Sequence, residues 1–155
     1  GHNNQPVKWI VIYEAGEVRK LVAHTADWKR YMLKEQPAFA KLLHMDMVLA
    51  GYQTGNDVIC RSAPHLIIAH AAKSDVTAPV ACTIALTYLE LAAPSFGLGA
   101  CWAGYFNAAM NFWQPLQKAV GLPENHGSFG AMMVGYPQFR YHRMPLRKEP
   151  EISWQ

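Results

Sequence analysis

Ala78-Pro79-Val80-Ala81-Cys82-Thr83-Ile84-Ala85-Leu86-Thr87-Tyr88-Leu89-Glu90-Leu91-Ala92-Ala93 is the run whose reading decides the fold. It lies within a longer stretch, Val76 to Gln117, in which Glu90 is the only charged residue. Pro79 near its start and Pro94 just past its end frame a helix. Its apolar side chains (Val80, Ile84, Leu86, Tyr88, Leu89, Leu91) go all the way round. A helix without a polar face is buried in a large core, in a subunit interface or in a membrane. A membrane span takes about 20 residues. This run is shorter, and it carries two threonines, a proline and Glu90. The expectation is a central helix packed in a homodimer, with no membrane involved.

Upstream, Val7 to Tyr13 is β-branched and aromatic and predicts a buried strand. From Glu17 to Leu33, Val18, Leu21, Val22, Thr25, Trp28 and Met32 recur at spacings of three and four, which predicts an amphipathic helix. Pro37 opens a second helical stretch with Phe39, Leu42, Leu43 and Met47 on one face. Gly51 to Asp57 is a turn cluster, and Pro64 to Ala71 holds a second buried strand around Leu66-Ile67-Ile68. Downstream, Phe96 to Tyr105 is a glycine-punctuated turn running into a short strand. Gln114 to Val120 is a short helix stopped by Gly121 and Pro123, and Ser128 to Tyr136 is a third strand. No repeat, low-complexity tract or linker divides residues 1–155. Few strands alternating with helices predict one α+β domain, a mixed sheet flanked by helices.

Composition narrows the function classes. The chain has 155 residues, 51% of them hydrophobic, enough for one domain with a substantial core. Charged residues make up 16%, against about 25% in an average globular domain. This low charge fits apolar surface buried against a partner. The net charge of +3 and the lack of any Lys/Arg run argue against nucleic acid. Cys60, Cys82 and Cys101 form neither a disulfide framework nor a CxxC pair, so a reducing, cytoplasmic setting is expected. No basic stretch leading into an apolar run opens the chain, so no signal peptide is expected.

Few residues announce chemistry. His65 and His70 lie five apart on a strand and face opposite sides, and no HxH or HExxH pattern exists, so no metal site is expected. Cys101 in its glycine-rich turn is a possible nucleophile, but nothing in the sequence marks an activating histidine. Gly97-Leu98-Gly99 resembles half of a dinucleotide fingerprint, without its third glycine and its acidic residue. The basic tail, with Arg143 and Arg147, is either a solvated surface or an anion site.

Several segments, in order, resemble the flavin-dependent nitroreductase family. Gly1-His2-Asn3-Asn4-Gln5-Pro6, leading into Lys8-Trp9-Ile10-Val11-Ile12, is similar to that family's GHNxQP motif and first strand. Ala63 to Ile68 resembles its second strand. Asp75 and the apolar helix to Ala93 resemble its dimer helix. Gly97 to Gly104 resembles the turn beside the flavin, and Met144-Pro145-Leu146-Arg147-Lys148 resembles its C-terminal Pro-x-Arg element.

The resemblance implies a three-layer α+β fold and FMN held at a homodimer interface. It also implies ping-pong hydride transfer from NAD(P)H, through the flavin N5, to a small-molecule electron acceptor such as a nitroaromatic or quinone. It implies that Asn3 and Gln5 bond the ring edges and that the backbone of Cys101, Trp102, Ala103 and Gly104 lies along the flavin. The resemblance makes the Gly104 N–H the candidate catalytic donor to N5. Arg143 and Arg147 would neutralise the phosphate, and Trp102 and Tyr105 would border the substrate pocket. The family's Arg-rich RRSxRxF segment, which precedes the GHNxQP motif, is not in this sequence, nor are the cysteines of the ferredoxin domain that precedes one subgroup. The chain therefore reads as the C-terminal two-thirds of such a domain. Two competing readings are a non-catalytic interaction domain on the same fold and a small cysteine hydrolase using Cys101.

Overall fold

A computed structural model describes residues 3–139, 142–143 and 146–155. Four strands, β1 (Lys8–Ile12), β2 (His65–Ala72), β3 (Gly99–Trp102) and β4 (His126–Gly135), form one sheet in the order β1-β2-β4-β3. Every neighbouring pair is antiparallel, with registers such as Ile10↔Ile68, Leu66↔Met133 and Cys101↔Met133. Between Ala69 and His70 the β2–β4 register shifts by one residue, leaving Phe129 as the extra residue of a bulge.

Helices cover both faces, giving three layers. On one face lie α1 (Ala15–Glu35), α2 (Pro37–Leu42), α3 (Met45–Gln53), α5 (Gly104–Phe112) and α6 (Gln114–Val120). Val18, Leu21, Val22, Trp28, Phe106, Met110 and Leu116 pack there with Leu66, Ile68 and Met133. On the other face α4 (Ala78–Ala92) packs Ala78, Cys82 and Leu86 against Ala69, Ala71, Met132 and Val134. All six positions of the predicted α1 stripe are buried.

Other expectations change. β1 is an edge strand, not a buried one. Ile10 and Ile12 pack on the larger core, while Trp9 and Val11, on the opposite side of the pleat, are exposed. The stretch from Pro37 is two helices, because His44 adopts a left-handed conformation (φ 51°) between them. Phe39, Leu42, Leu43 and Met47 are consequently exposed, and Ala40, Met45, Val48 and Leu49 are buried instead. The predicted turn at Gly51 shrinks to Thr54–Gly55, since α3 runs to Gln53. Pro94 does not end the helical run; it sits in the first turn of a 3-10 segment, Ala93–Phe96, where its missing N–H costs nothing.

The dominant helix also differs in a useful way. Leu86 is fully buried inside the subunit, so a charge there would attack the fold itself. The opposite stripe of α4 (Val80, Ile84, Tyr88, Leu91) is exposed. Ala78–Phe96 spans 19 residues and is long and apolar enough to cross a membrane by length and composition. Its inner stripe, however, is spent on the sheet.

Candidate functional site

The expected site residues come from four places. The first is the segment before β1. Asn3 and Gln5 both have left-handed backbones (φ 52° and 47°), and the Gln5 amide donates to Asn3 Oδ1 at 2.9 Å. Asn4 between them, which sequence reasoning passed over, is the anchor. Its Nδ2 donates to Asp75 Oδ2 at 2.7 Å. The other oxygen of Asp75 accepts from the Thr77 N–H and hydroxyl at 2.8 and 2.6 Å. These bonds, the Thr77 pair foremost, hold the Asp75 carboxyl below its ordinary pKa. The segment is thereby tied to the start of α4 with two amides left at the surface.

The second place is the junction of β3 and α5. Cys101 and Trp102 end the edge strand, Ala103 is fully buried, and Gly104 opens the helix in an exposed position. The Ala103 N–H is taken by the Ala131 carbonyl at 2.9 Å. Gly104 is the first residue of α5, so its N–H has no carbonyl within the helix to bond. A Cβ at Gly104 would meet nothing within 4 Å. An unpartnered N–H beside open space is what a flat ligand with a hydrogen-bond acceptor requires. The ring end of a flavin therefore fits this chain.

Trp102 borders this opening, but its indole turns the other way. Strand alternation puts it on the α4 side, where its indole donates to Glu90 Oε2 at 3.1 Å and lies over Gly130. The only charge of the long apolar stretch thus has a local task. Cys101 is exposed, and the contact found for its thiol is the Trp102 carbonyl, at 3.8 Å. Among the described residues no histidine bonds it. Cys60 and Cys82 are buried, and burial pushes both thiols up, Cys60 to about 12.

The third place gathers Trp102, Gly104 and Tyr105 with loop residues that sequence reasoning passed over. A cleft of about 190 Å³ lies beside Gly104. Val58, Ile59 and Arg61 from the loop before β2 line it, with Trp102, Gly104 and Tyr105 and with Met133 of β4. One carboxylate builds that loop. Asp57 Oδ1 accepts the Ile59 and Cys60 N–H groups at 3.0 and 2.8 Å, and Oδ2 accepts the Ser62 N–H at 2.9 Å. Arg61 and Ser62 are both left-handed (φ 53° and 56°). Behind Tyr105 sits Lys29 of α1, 1% exposed, its ammonium 4.3 Å from the Tyr105 ring centroid. Burial pushes Lys29 down to about 8. A larger cavity of about 340 Å³ lies between α1 and the same loop, but it holds none of the expected residues.

The fourth place is the tail. Arg143 and Arg147 are exposed and lie outside regular structure. Gly1, His2, Met144 and Pro145, which belong to the quoted motifs, lie outside the described residues. Elsewhere, His70 and His126 share a 2.8 Å Nδ1–Nδ1 hydrogen bond across β2 and β4. Burial first, then His126 and Lys8, lower the His70 pKa.

Comparison with known proteins follows this geometry. The model of the nitroreductase family matches residues 1–136. A nitroreductase with bound FMN from Bacteroides fragilis superposes with a TM-score of 0.68 at 17% identity, over 99% of this chain and 79% of its own. An FMN-bound nitroreductase from Desulfitobacterium hafniense gives 0.70 at 18% identity, over 97% and 78%. Oxidised iodotyrosine deiodinase, with FMN and 3-iodo-L-tyrosine, gives 0.56 at 18%, over 97% and 80%. At these identities the likeness is one of fold. Sequence comparison with curated proteins gives no significant match.

Proposed function

Because this chain belongs to the nitroreductase family, we propose that it is an FMN-dependent oxidoreductase, acting as a cytoplasmic homodimer that passes electrons from NAD(P)H to a small acceptor such as a nitroaromatic or quinone. FMN, when bound, supplies the hydride chemistry, accepting from the donor and giving to the acceptor in turn. The chain's own residues bind and orient it. The observation that carries this reading is Gly104 at the start of α5, exposed, with its N–H unpartnered within the helix and room for a ligand where a Cβ would stand. That N–H is the donor to the ring's reactive edge, and the positive end of α5 favours electron density gathering there. Asn3 and Gln5 hold the polar rim of the ring from a segment that Asn4 and Asp75 fix in place. The backbone from Cys101 to Ala103 lies along the ring. Arg143 and Arg147 are the cations for the phosphate, and they reach it when the tail settles against the bound cofactor.

An absorbance spectrum of the purified chain, taken after adding FMN and removing the excess, tests this. The expected result is a retained flavin spectrum that bleaches with NADH or NADPH and returns when a nitroaromatic or quinone is added. A colourless protein would sink the proposal and favour the non-catalytic interaction domain. A specific observation supports that alternative: Arg143 and Arg147, the cations proposed for the phosphate, stand exposed outside regular structure and make no ion pair among the described residues.

A further inference from the structure

The cleft beside Gly104 carries positive charge from three sources. Arg61 lines it directly and makes no ion pair among the described residues. Lys29 lies behind its Tyr105 wall, buried to 1% exposure, with neither hydrogen bond nor carboxylate partner among the described residues. Its ammonium lies 4.3 Å from the Tyr105 ring centroid and 5.6 Å from that of Trp28, two aromatic faces that favour a cation. The N-terminus of the nine-residue helix α5 opens at Gly104, on the same cleft. The nearest acid in sequence, Asp57, is already committed to three backbone N–H groups. Those same bonds hold Arg61 in a left-handed conformation that costs a non-glycine residue free energy. The remaining lining, Val58, Ile59 and Met133, is apolar. A shallow apolar slot with an exposed guanidinium and no acidic residue in its lining suits a small ring carrying one anionic group.

Building on the flavoenzyme reading, we propose that this cleft is the substrate subsite and that Arg61 selects substrates bearing a carboxylate or phosphate. A guanidinium makes paired, charge-assisted hydrogen bonds to either group. The two anions have different sources: a carboxylate belongs to the electron acceptor, a phosphate to the dinucleotide donor.

The test uses the full chain in the presence of FMN. Calorimetry compares 4-nitrobenzoate with its uncharged methyl ester, in the unsubstituted protein and in Arg61→Gln. The acid is expected to bind at least about tenfold tighter than the ester, and Arg61→Gln to erase that ratio. Arg61→Gly repeats the measurement in a variant that relieves the left-handed strain, so a folding failure of Arg61→Gln leaves the test intact. A second arm compares the KM of NADH with that of N-benzyl-1,4-dihydronicotinamide, which has no phosphate. A ratio lost only in this arm assigns the anion to the donor, and one lost only in the first assigns it to the acceptor. Equal binding of acid and ester together with equal KM shifts for both donors, or ratios that survive the loss of Arg61, would overturn the proposal. So would a drop in FMN affinity alone, since the anion would then be the cofactor's. If the chain retains no flavin yet still tells acid from ester through Arg61, the subsite stands and the oxidoreductase reading falls.

Discussion

Lys29 shows how one residue can cost stability at a site. It occupies a core position of α1, between Trp28 and Tyr105, where an apolar side chain would pack without a desolvation penalty. Its pKa falls from 10.5 to about 8 on folding. The unfolded chain therefore holds the proton more tightly, and stability rises with pH between those two values. Below about pH 8 the full penalty applies; above 10.5 it is gone. Lys29→Met should thus stabilise the protein at pH 7 by on the order of 2–3 kcal/mol. That gain should shrink as pH climbs past 8, as read by urea unfolding at several pH values. A gain that does not change with pH would mean that packing, not charge, sets the difference. Gly104 gives the complementary test. Proline is tolerated at the first position of a helix, so Gly104→Pro removes one N–H while leaving α5 intact. Flavin reduction by NADH should slow by about a hundredfold, the usual effect of losing one such donor, with thermal stability little changed. An unaltered rate would dismiss the Gly104 N–H from the chemistry.

At the scale of elements, α4 and β4 meet at a point where only glycine fits. A Cβ on Gly130 would lie 2.4 Å from Leu86 Cδ1 and 3.0 Å from the Trp102 ring. Leu86 is fully buried and cannot simply swing away. Gly130→Ala should therefore cost about 1–3 kcal/mol by overpacking, measured as a lower denaturant midpoint, and Leu86→Ala in the same chain should recover part of it. α1 was legible in the sequence because it repeats apolar residues every three or four positions; in α4 the apolar residues go all the way round, so the sequence did not tell the inward Leu86 from the outward Ile84 and Tyr88. α5 was not legible. It buries Phe106, Ala109 and Met110, but it opens on the glycine that made the segment look like a turn, and Asn107 is occupied in accepting from Ser128 at 2.7 Å. Asn3, Gln5 and Gly104 could be nominated because a local motif surrounds each of them. Arg61 and Lys29 could not. Arg61 shares a cleft with Tyr105, and Lys29 meets its ring, only through the packing of distant elements, and neither the strain at Arg61 nor the burial of Lys29 leaves a mark in composition.

At the scale of the whole molecule, one face of the sheet is unfinished in a single chain. On the α4 side Trp9 and Val11 of the edge strand are exposed, and so is the outer stripe of α4 itself. Val80, Ile84, Tyr88 and Leu91 follow one another at helical spacing with exposures of 55–74%. A row of large apolar side chains on one helix face marks an interaction surface. A second copy is the simplest cover, since a two-fold axis lets the same stripe pack on itself. The fold separates this surface from the core: Leu86 faces inward, Ile84 and Tyr88 outward. Ile84→Glu with Tyr88→Lys should therefore convert a dimer to a folded monomer, whereas Leu86→Asp should unfold the chain. Each apolar side chain removed costs the interface roughly 1.5–3 kcal/mol, and symmetry counts every substitution twice. Sedimentation at a series of concentrations, with circular dichroism to confirm folding, separates the two cases. If the double variant sediments like the unsubstituted protein, the stripe is not the subunit contact. If it becomes monomeric and loses its flavin at the same time, the second copy completes the cofactor site.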